Sequence, residues 1–155
     1  MRNESHSAHP VIAICRNLLV LLAITVWTVS GASAQDAVSE AETTATQQVI
    51  EDQLLAFRAG EHQRAFSHAA PNIKGIFRTV ENFAAMVQRG YGAIYEAGEF
   101  TFGRNLFQNG EIYQEVLITD SAGKQWQAVY TLKQQEDGSW KITGVKMNPY
   151  KGASV

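Results

Sequence analysis

The stretch EFTFGRNLFQNGEIYQEVLITDSAGKQWQAVYTLKQQEDGSWKITGVKM, Glu99 to Met147, decides the fold. It reads as four short strands separated by three turn signals: Asn109-Gly110, Asp120-Ser121-Ala122-Gly123 and Asp137-Gly138. Asn-Gly and Asp-Gly between alternating apolar residues favour tight hairpins, because both central positions need positive φ. A two-residue loop at Asn109-Gly110 sets Phe102 opposite Leu117, Arg104 opposite Glu115 and Leu106 opposite Tyr113. A four-residue loop from Asp120 to Gly123 sets Leu117 opposite Trp126, Glu115 opposite Ala128 and Tyr113 opposite Tyr130. Opposed residues point to the same side of a sheet. One face then collects Phe100, Phe102, Arg104, Leu106, Tyr113, Glu115, Leu117, Trp126, Ala128, Tyr130 and Leu132, and is expected to be concave and covered. The other mixes Thr101, Asn105, Gln114, Gln125, Gln127 and Thr131 with Phe107, Ile112, Val116, Ile118 and Val129. A half-polar face of this kind suits a homodimer interface on the convex side. The last hairpin allows two registers. A two-residue Asp137-Gly138 loop opposes Tyr130 to Val145, and a bulged three-residue loop opposes Leu132 to Ile142 with Trp140 inward. A one-residue slip exchanges the two faces.

Upstream of the strands the spacing is helical. Ile50, Leu54 and Phe57 recur at i, i+4 and i+7 between Gln47 and Ala59, and Gly60 supplies the stop. A short helix from Glu61 to about Ala69 ends at Pro71. Ile73, Ile76 and Phe77 form one apolar turn. Thr79 caps a further helix that buries Val80, Phe83, Met86 and Val87 and ends at Gly90. Tyr91 to Glu96 alternates, which allows a short strand without deciding it. Helices followed by a run of antiparallel strands define an α+β class, with N-terminal helices packed on a strongly curved antiparallel sheet. The roll domain is expected over 47–148, with a C-terminal tail over 149–155.

Residues 1–34 read as a secretory signal peptide. Arg2 and Arg16 precede an apolar run of 12 residues, Leu18 to Val29, followed by Ala32-Ser33-Ala34. A membrane span needs about 20 apolar residues, so cleavage after Ala34 and a periplasmic or secreted location are expected, with no membrane association afterwards. Residues 35–46 are small and polar and read as a flexible leader, with Thr43 or Thr46 as a cap for the first helix. The mature part would have 155 − 34 = 121 residues, enough for one domain with a core. Its charge is 11 basic residues (13 less Arg2 and Arg16) against 14 acidic (15 less Glu4), or −3. No basic cluster marks it for nucleic acid.

The single cysteine, Cys15, lies before the cleavage point, so no disulfide, thiol nucleophile or thiolate metal site is expected. His62 and His68 stand six apart, unlike the i, i+4 spacing that places two ligands on one helical face. No metal and no other cofactor is expected.

The segments Gln53-Leu-Leu-Ala-Phe-Arg-Ala-Gly-Glu-His62, Ala65-Phe66 and Ala70-Pro71 resemble the opening helices of the nuclear transport factor 2-like superfamily. Trp126-Gln-Ala-Val-Tyr130 and Gln134-Gln-Glu-Asp-Gly-Ser-Trp-Lys-Ile-Thr-Gly144 resemble its last hairpin. The middle, Ile76-Phe77 with Phe83-Ala-Ala-Met-Val-Gln-Arg-Gly-Tyr91, is similar to an uncharacterised bacterial domain family within it. The resemblance covers about Thr46 to Lys146. It implies a conical α+β roll, often dimeric, with a pocket between helices and sheet. The superfamily includes ketosteroid isomerase-like and polyketide cyclase-like enzymes, binding modules and oligomerisation domains, so the fold does not give the function. The isomerases use an acidic base with an oxyanion hole of a tyrosine and a protonated acid, and no motif here carries those residues over.

Two functional readings follow. The first is a non-catalytic domain that binds a small molecule or a protein partner. Its candidate pocket residues are Tyr91, Tyr95, Arg104, Tyr113, Glu115, Trp126 and Tyr130, and its small-ligand form requires a cavity above roughly 300 Å³ over the concave face. The alternative is an isomerase- or hydrolase-like enzyme with Glu115 or a pocket tyrosine as base. A raised Glu115 pKa in an open cavity favours the enzyme, and a Glu115 locked to Arg104 removes it.

Overall fold

A computed structural model describes residues 37–152. The expected signal peptide over 1–34 lies outside them, as do the last three residues. Five helices come first: α1 (Glu40–Arg58), α2 (His62–Ser67), α3 (Pro71–Phe77), α4 (Val80–Gly90) and α5 (Gly92–Tyr95). Four strands follow: β1 (Phe100–Gln108), β2 (Glu111–Thr119), β3 (Gln125–Gln134) and β4 (Trp140–Pro149). They pair in chain order as one antiparallel sheet, curled but not closed. The α+β class is as read from the sequence.

Helix α1 starts earlier than the sequence suggested. Ser39 is its N-cap, not Thr43 or Thr46. The Glu42 amide donates to Ser39 Oγ (3.2 Å) and the Ser39 amide donates to Glu42 Oε2 (3.1 Å), a reciprocal capping box. The Ser39 hydroxyl, which donates to Glu42 Oε2 (2.6 Å), and then the Ser39 amide hold the Glu42 carboxyl below its usual range. Residues 40–46 are therefore helix rather than flexible leader. Thr46 lies fully buried in mid-helix, its hydroxyl donating to the Glu42 carbonyl (2.8 Å). At the other end Gly60, at φ 70°, turns the chain. The Gly60 amide bonds the Phe57 carbonyl and the Glu61 amide bonds the Ala56 carbonyl, as in a Schellman cap.

Segment 91–96 is not a strand. Amides of Ile94 and Tyr95 donate to the Tyr91 carbonyl, and that of Glu96 to Gly92. Ala93, Ile94 and Ala97 are all buried, which a helical turn permits and strict alternation does not.

The sheet departs from the expected register at two places. The Asn109-Gly110 turn forms as read, with both residues at positive φ and Leu106 opposite Tyr113. Between Phe102 and Asn105 the register shifts by one. Phe100, Phe102 and Phe107 consequently all pack on the core, while Arg104 and Leu106 face outward. The second departure is the β2–β3 connection, which spans five residues, 120–124, with Thr119 opposite Gln125. Asp120 Oδ1 accepts from the amides of Ala122 (3.0 Å) and Lys124 (2.9 Å), so its side chain adds a residue to the loop. That single residue inverts β2. Ile112, Gln114, Val116 and Ile118 are fully buried, whereas Tyr113, Glu115 and Leu117 lie on the outer face. On β3, Ala128, Tyr130 and Leu132 are inward as expected. Trp126 shares their side but is only half-buried at the sheet's end. Its indole N–H donates to Asp120 Oδ2 (2.8 Å) and Lys124 Nζ stands 4.0 Å over its ring.

Both registers read for the last hairpin occur. Leu132 opposes Ile142, with Trp140 buried, and a bulge then sets Tyr130 opposite Val145. Beyond β4, the link between α2 and α3 covers the edge. The Ile142 amide donates to the His68 carbonyl (2.9 Å), and the Ala70 amide donates to the Ile142 carbonyl (2.8 Å).

Helix α1 lays Ile50, Leu54 and Phe57 on the buried face. Among the described residues, Tyr130 Oη is the one fully enclosed side-chain polar atom without a partner. An unpaired buried hydroxyl costs about 1–3 kcal/mol. Tyr130→Phe is therefore expected to raise the stability of the domain by about 1 kcal/mol in a urea titration. A loss of stability would show that the hydroxyl is bonded in solution.

Candidate functional site

Helices α3 and α4 lean past the end of the α1 contact, and an apolar pocket of about 260 Å³ opens between them and β4. The sequence builds its walls from three helical repeats. Ile73, Ile76 and Phe77 come from α3, Phe83, Met86 and Val87 from α4, and Gln53 and Phe57 from α1. Tyr91, Ile94, Ile142 and Val145 complete it. Aromatic contacts stiffen the inner wall: Phe83 stacks at 5.8 Å on Phe57, 5.0 Å on Phe66 and 5.9 Å on Phe77. The outer wall is lighter. No residue of α3 is fully buried, and Ile76 at the mouth is 68 % exposed.

The pocket contains no charged side chain. Its polar atoms belong to Gln53, Tyr91 and the backbone. Tyr91 Oη donates to the Val145 carbonyl over a long 3.4 Å. The Gln53 side chain is 3 % exposed, and its Nε2 donates to the Ala65 carbonyl (3.1 Å).

The seven residues expected to share one pocket are divided. Tyr91 lines the cavity. Tyr95 lies behind it, its hydroxyl hydrogen-bonded to His62 Nε2 (2.9 Å) and its ring 5.7 Å from Phe57. Tyr130 is sealed in the core, and desolvation pushes its phenol pKa well above the usual range. Trp126 caps the far end of the sheet. Arg104, Tyr113 and Glu115 lie on the outer face because of the bulge and the longer loop. The expected Arg104–Glu115 pair does form, with Nη2 to Oε1 at 3.0 Å and Nε to Oε2 at 3.3 Å, and Gln127 Nε2 also donates to Oε1 (3.4 Å). Hydrogen bonding to Glu115 raises the Arg104 pKa above its already high value. Asn105, Gln114, Phe107, Ile112, Val116 and Ile118, read as convex, are inside. The outer face presents instead Leu106, Tyr113, Leu117 and Val129.

Two pairings carried no sequence signal. His68 Nε2 and Asp52 Oδ2 lie 2.5 Å apart, tying α1 to the α2–α3 link, and Arg64 bridges Asp52 and Glu61. Ser67 Oγ donates to the Arg64 carbonyl (2.6 Å) and takes no part. Among the described residues, no three His, Cys, Asp or Glu side chains come together as a metal site would require. Gln53 is a different case. It stands three residues after Ile50 on the same helical face, a polar residue inside an apolar stripe, a signal that the periodicity of Ile50, Leu54 and Phe57 alone passes over.

The fold and site together define an α+β roll with an apolar pocket between its helices and its last strand. The chain belongs to the DUF4864 family, a domain of unknown function whose model matches residues 39–155. This is the kind of family that the middle segment resembles. A solved NTF-2-like protein of unknown function from Silicibacter pomeroyi DSS-3 is similar at 15 % identity and a TM-score of 0.48, over 74 % of this chain and all of that one. No curated protein matches the chain.

Arg104 is 87 % exposed on its side chain, so water screens the pair and the bulge does not depend on it. Exposed ion pairs contribute about 0–1 kcal/mol. A double-mutant cycle on Arg104→Ala and Glu115→Ala, read by urea denaturation at low and high salt, should return a coupling below about 1 kcal/mol that shrinks with salt.

Proposed function

We propose that this is an exported domain that binds a small, neutral, mostly apolar molecule in the pocket between α3, α4 and β4, without chemistry of its own. The observation that carries the reading is the pocket itself: an apolar wall of Phe57, Phe77, Phe83, Met86 and Val87 that the molecule leaves open at Ile76. An apolar cavity of this size forgoes the contacts that a filled core would make, at a cost of some 24 cal/mol per Å³ in comparable cases. At 260 Å³ it misses the roughly 300 Å³ expected of a ligand site of ordinary size, so the reading narrows to an occupant of about one ring. Export rests on the basic start, the short apolar run and the Ala32-Ser33-Ala34 exit, and places the domain in the periplasm or outside the cell.

The enzymatic alternative has less support. Glu115 lies on the outer face and is held by two hydrogen bonds from Arg104. Tyr130 is buried where its ionised form is disfavoured. Neither borders the pocket, and Tyr91, the tyrosine that does, has no acid, base or cation beside it in the lining.

The methyl groups of the methionines provide a direct test. Met86 lines the pocket and Met147 packs elsewhere on the core. Titration with phenol, followed by methionine-methyl NMR, should shift Met86 and leave Met147 in place. Ile73→Trp, at a partly exposed position of the wall, should weaken that binding at least about tenfold with the fold intact by circular dichroism. Phenol without effect on Met86 would remove the reading.

Homodimerisation through the outer sheet face is part of the same proposal. It is supported by Leu106, 48 % exposed and opposite Tyr113, with Leu117 and Val129 on the same outer face beyond the Arg104–Glu115 pair. Light scattering at micromolar concentration should give a dimer mass that Leu106→Glu halves. A monomer mass for the unmodified chain excludes this part.

A further inference from the structure

The chemistry of the pocket points beyond its being apolar. We infer that its ligand carries a hydroxyl group, and that Gln53 Oε1 accepts the hydrogen bond from it. The inference rests on the pocket being a binding site and goes on to name what it selects.

Gln53 lies in the buried stripe of α1 with Ile50, Leu54 and Phe57, at a position where an apolar residue would pack. Its amide has two functional ends. The Nε2 end donates to the Ala65 carbonyl at 3.1 Å, and that bond fixes which end is nitrogen and which is oxygen. The Oε1 end receives no donor from any described residue, and the pocket is the space that this side chain borders. The result is a hydrogen-bond acceptor within an apolar wall, on a side chain 3 % exposed. The Oε1 atom is not among the fully enclosed ones, so it meets the open space of the pocket; an apolar occupant would strip it of water, and a ligand hydroxyl replaces that water.

The rest of the lining narrows the class. No lysine, arginine, histidine, aspartate or glutamate borders the space, so a carboxylate, phosphate or ammonium would enter without a counter-charge. The ligand is therefore neutral. The remaining side-chain polar group is the Tyr91 hydroxyl, engaged with the Val145 carbonyl only at 3.4 Å, and it can turn to the ligand's oxygen as a second contact. The fit is an alcohol or phenol of one ring. A site that holds a buried acceptor discriminates strongly against an analogue lacking the donor, more than an apolar wall discriminates by size.

Three probes of nearly equal shape separate the possibilities: cyclohexanol, cyclohexanone and cyclohexanecarboxylate. Each is titrated into the unmodified protein with the Met86 methyl as reporter. Cyclohexanol should bind about fivefold more tightly than cyclohexanone, the gain expected of one hydrogen bond, and the carboxylate should not bind at neutral pH. In Gln53→Met, of similar length and without the acceptor, cyclohexanol and cyclohexanone should bind equally. Equal binding of alcohol and ketone by the unmodified protein would overturn the hydroxyl assignment and leave the pocket reading standing. Tight binding of the carboxylate would also overturn it. No shift of Met86 by any of the three would remove both. The ranking in the unmodified protein decides the matter even where Gln53→Met does not fold.

Discussion

The sheet depends on one buried amide. Gln114, fully buried on β2, reaches across to the bulge in β1, where its Nε2 lies 3.0 Å from the Gly103 carbonyl and 3.3 Å from that of Arg104. It also donates to the Glu115 carbonyl (2.8 Å), while Gln47 Nε2 on α1 lies 3.3 Å from its Oε1. A bulge strands backbone groups that a regular ladder would pair, and stranded carbonyls under a helix are costly. Gln114 answers that cost from inside. Gly103 makes the close approach feasible, since a Cβ there would stand 3.2 Å from the Glu115 Cβ. The consequence is that β1 changes face partway along its length. Phe100 and Phe102 before the bulge and Phe107 after it all reach the core.

Rigidity is distributed accordingly. The middle of the sheet and α1 share a core of Ile50, Leu54, Ile112, Val116, Tyr130 and Leu132, all essentially buried. Helix α3 is attached from its rim. Asn72 Nδ2 donates to the Thr143 carbonyl (3.1 Å), and Lys74 Nζ donates to the Ser67 carbonyl (3.3 Å), which Lys141 Nζ also reaches (3.1 Å). These are exposed or half-exposed polar contacts, and segments held in that way open at lower free energy than a core. The pocket lies along the boundary between the two regimes. One wall is fixed by the Phe57–Phe66–Phe83 cluster, and the other, α3, touches it through Phe77 and is held otherwise by its rim.

The class of fold was legible because its signals are local. Asn109-Gly110 and Asp137-Gly138 form their turns where the sequence puts them, Thr79 caps α4, and Gly60 ends α1. The faces of β2 were not legible, for a reason equally local. Asp120 folds its carboxylate onto two backbone amides and lengthens the loop by one residue, and a period of two converts one residue into a full inversion. Arg104 and Glu115 still meet, because the Asn109-Gly110 turn that sets the β1–β2 register on their side of the bulge forms as read. Yet they meet on the outer surface rather than in a cavity. A bulge held by a glutamine four residues after the Asn109-Gly110 turn leaves no mark in alternation counts. Ser39 went unread because the residues after it are too polar to suggest a packed helix, although Ser39 and Glu42 stand at the spacing of a capping box.

Gln53 and Gln114 make a useful contrast. Both are buried amides in otherwise apolar surroundings, and each departs from the rule that core positions are apolar. Gln114 has its departure explained by the protein, since both ends of its amide find partners within the fold. Gln53 has half of its departure explained, by the Ala65 carbonyl. A sequence that specifies one structure tends to be consistent across levels, and the residues that break a local rule without compensation inside the molecule are those whose partner lies outside it. Nothing in the packing of α1 calls for an oxygen at this position. A leucine or methionine would complete the stripe but take the Nε2 donor from the Ala65 carbonyl, so the amide serves the fold at one end and offers its oxygen to the pocket at the other.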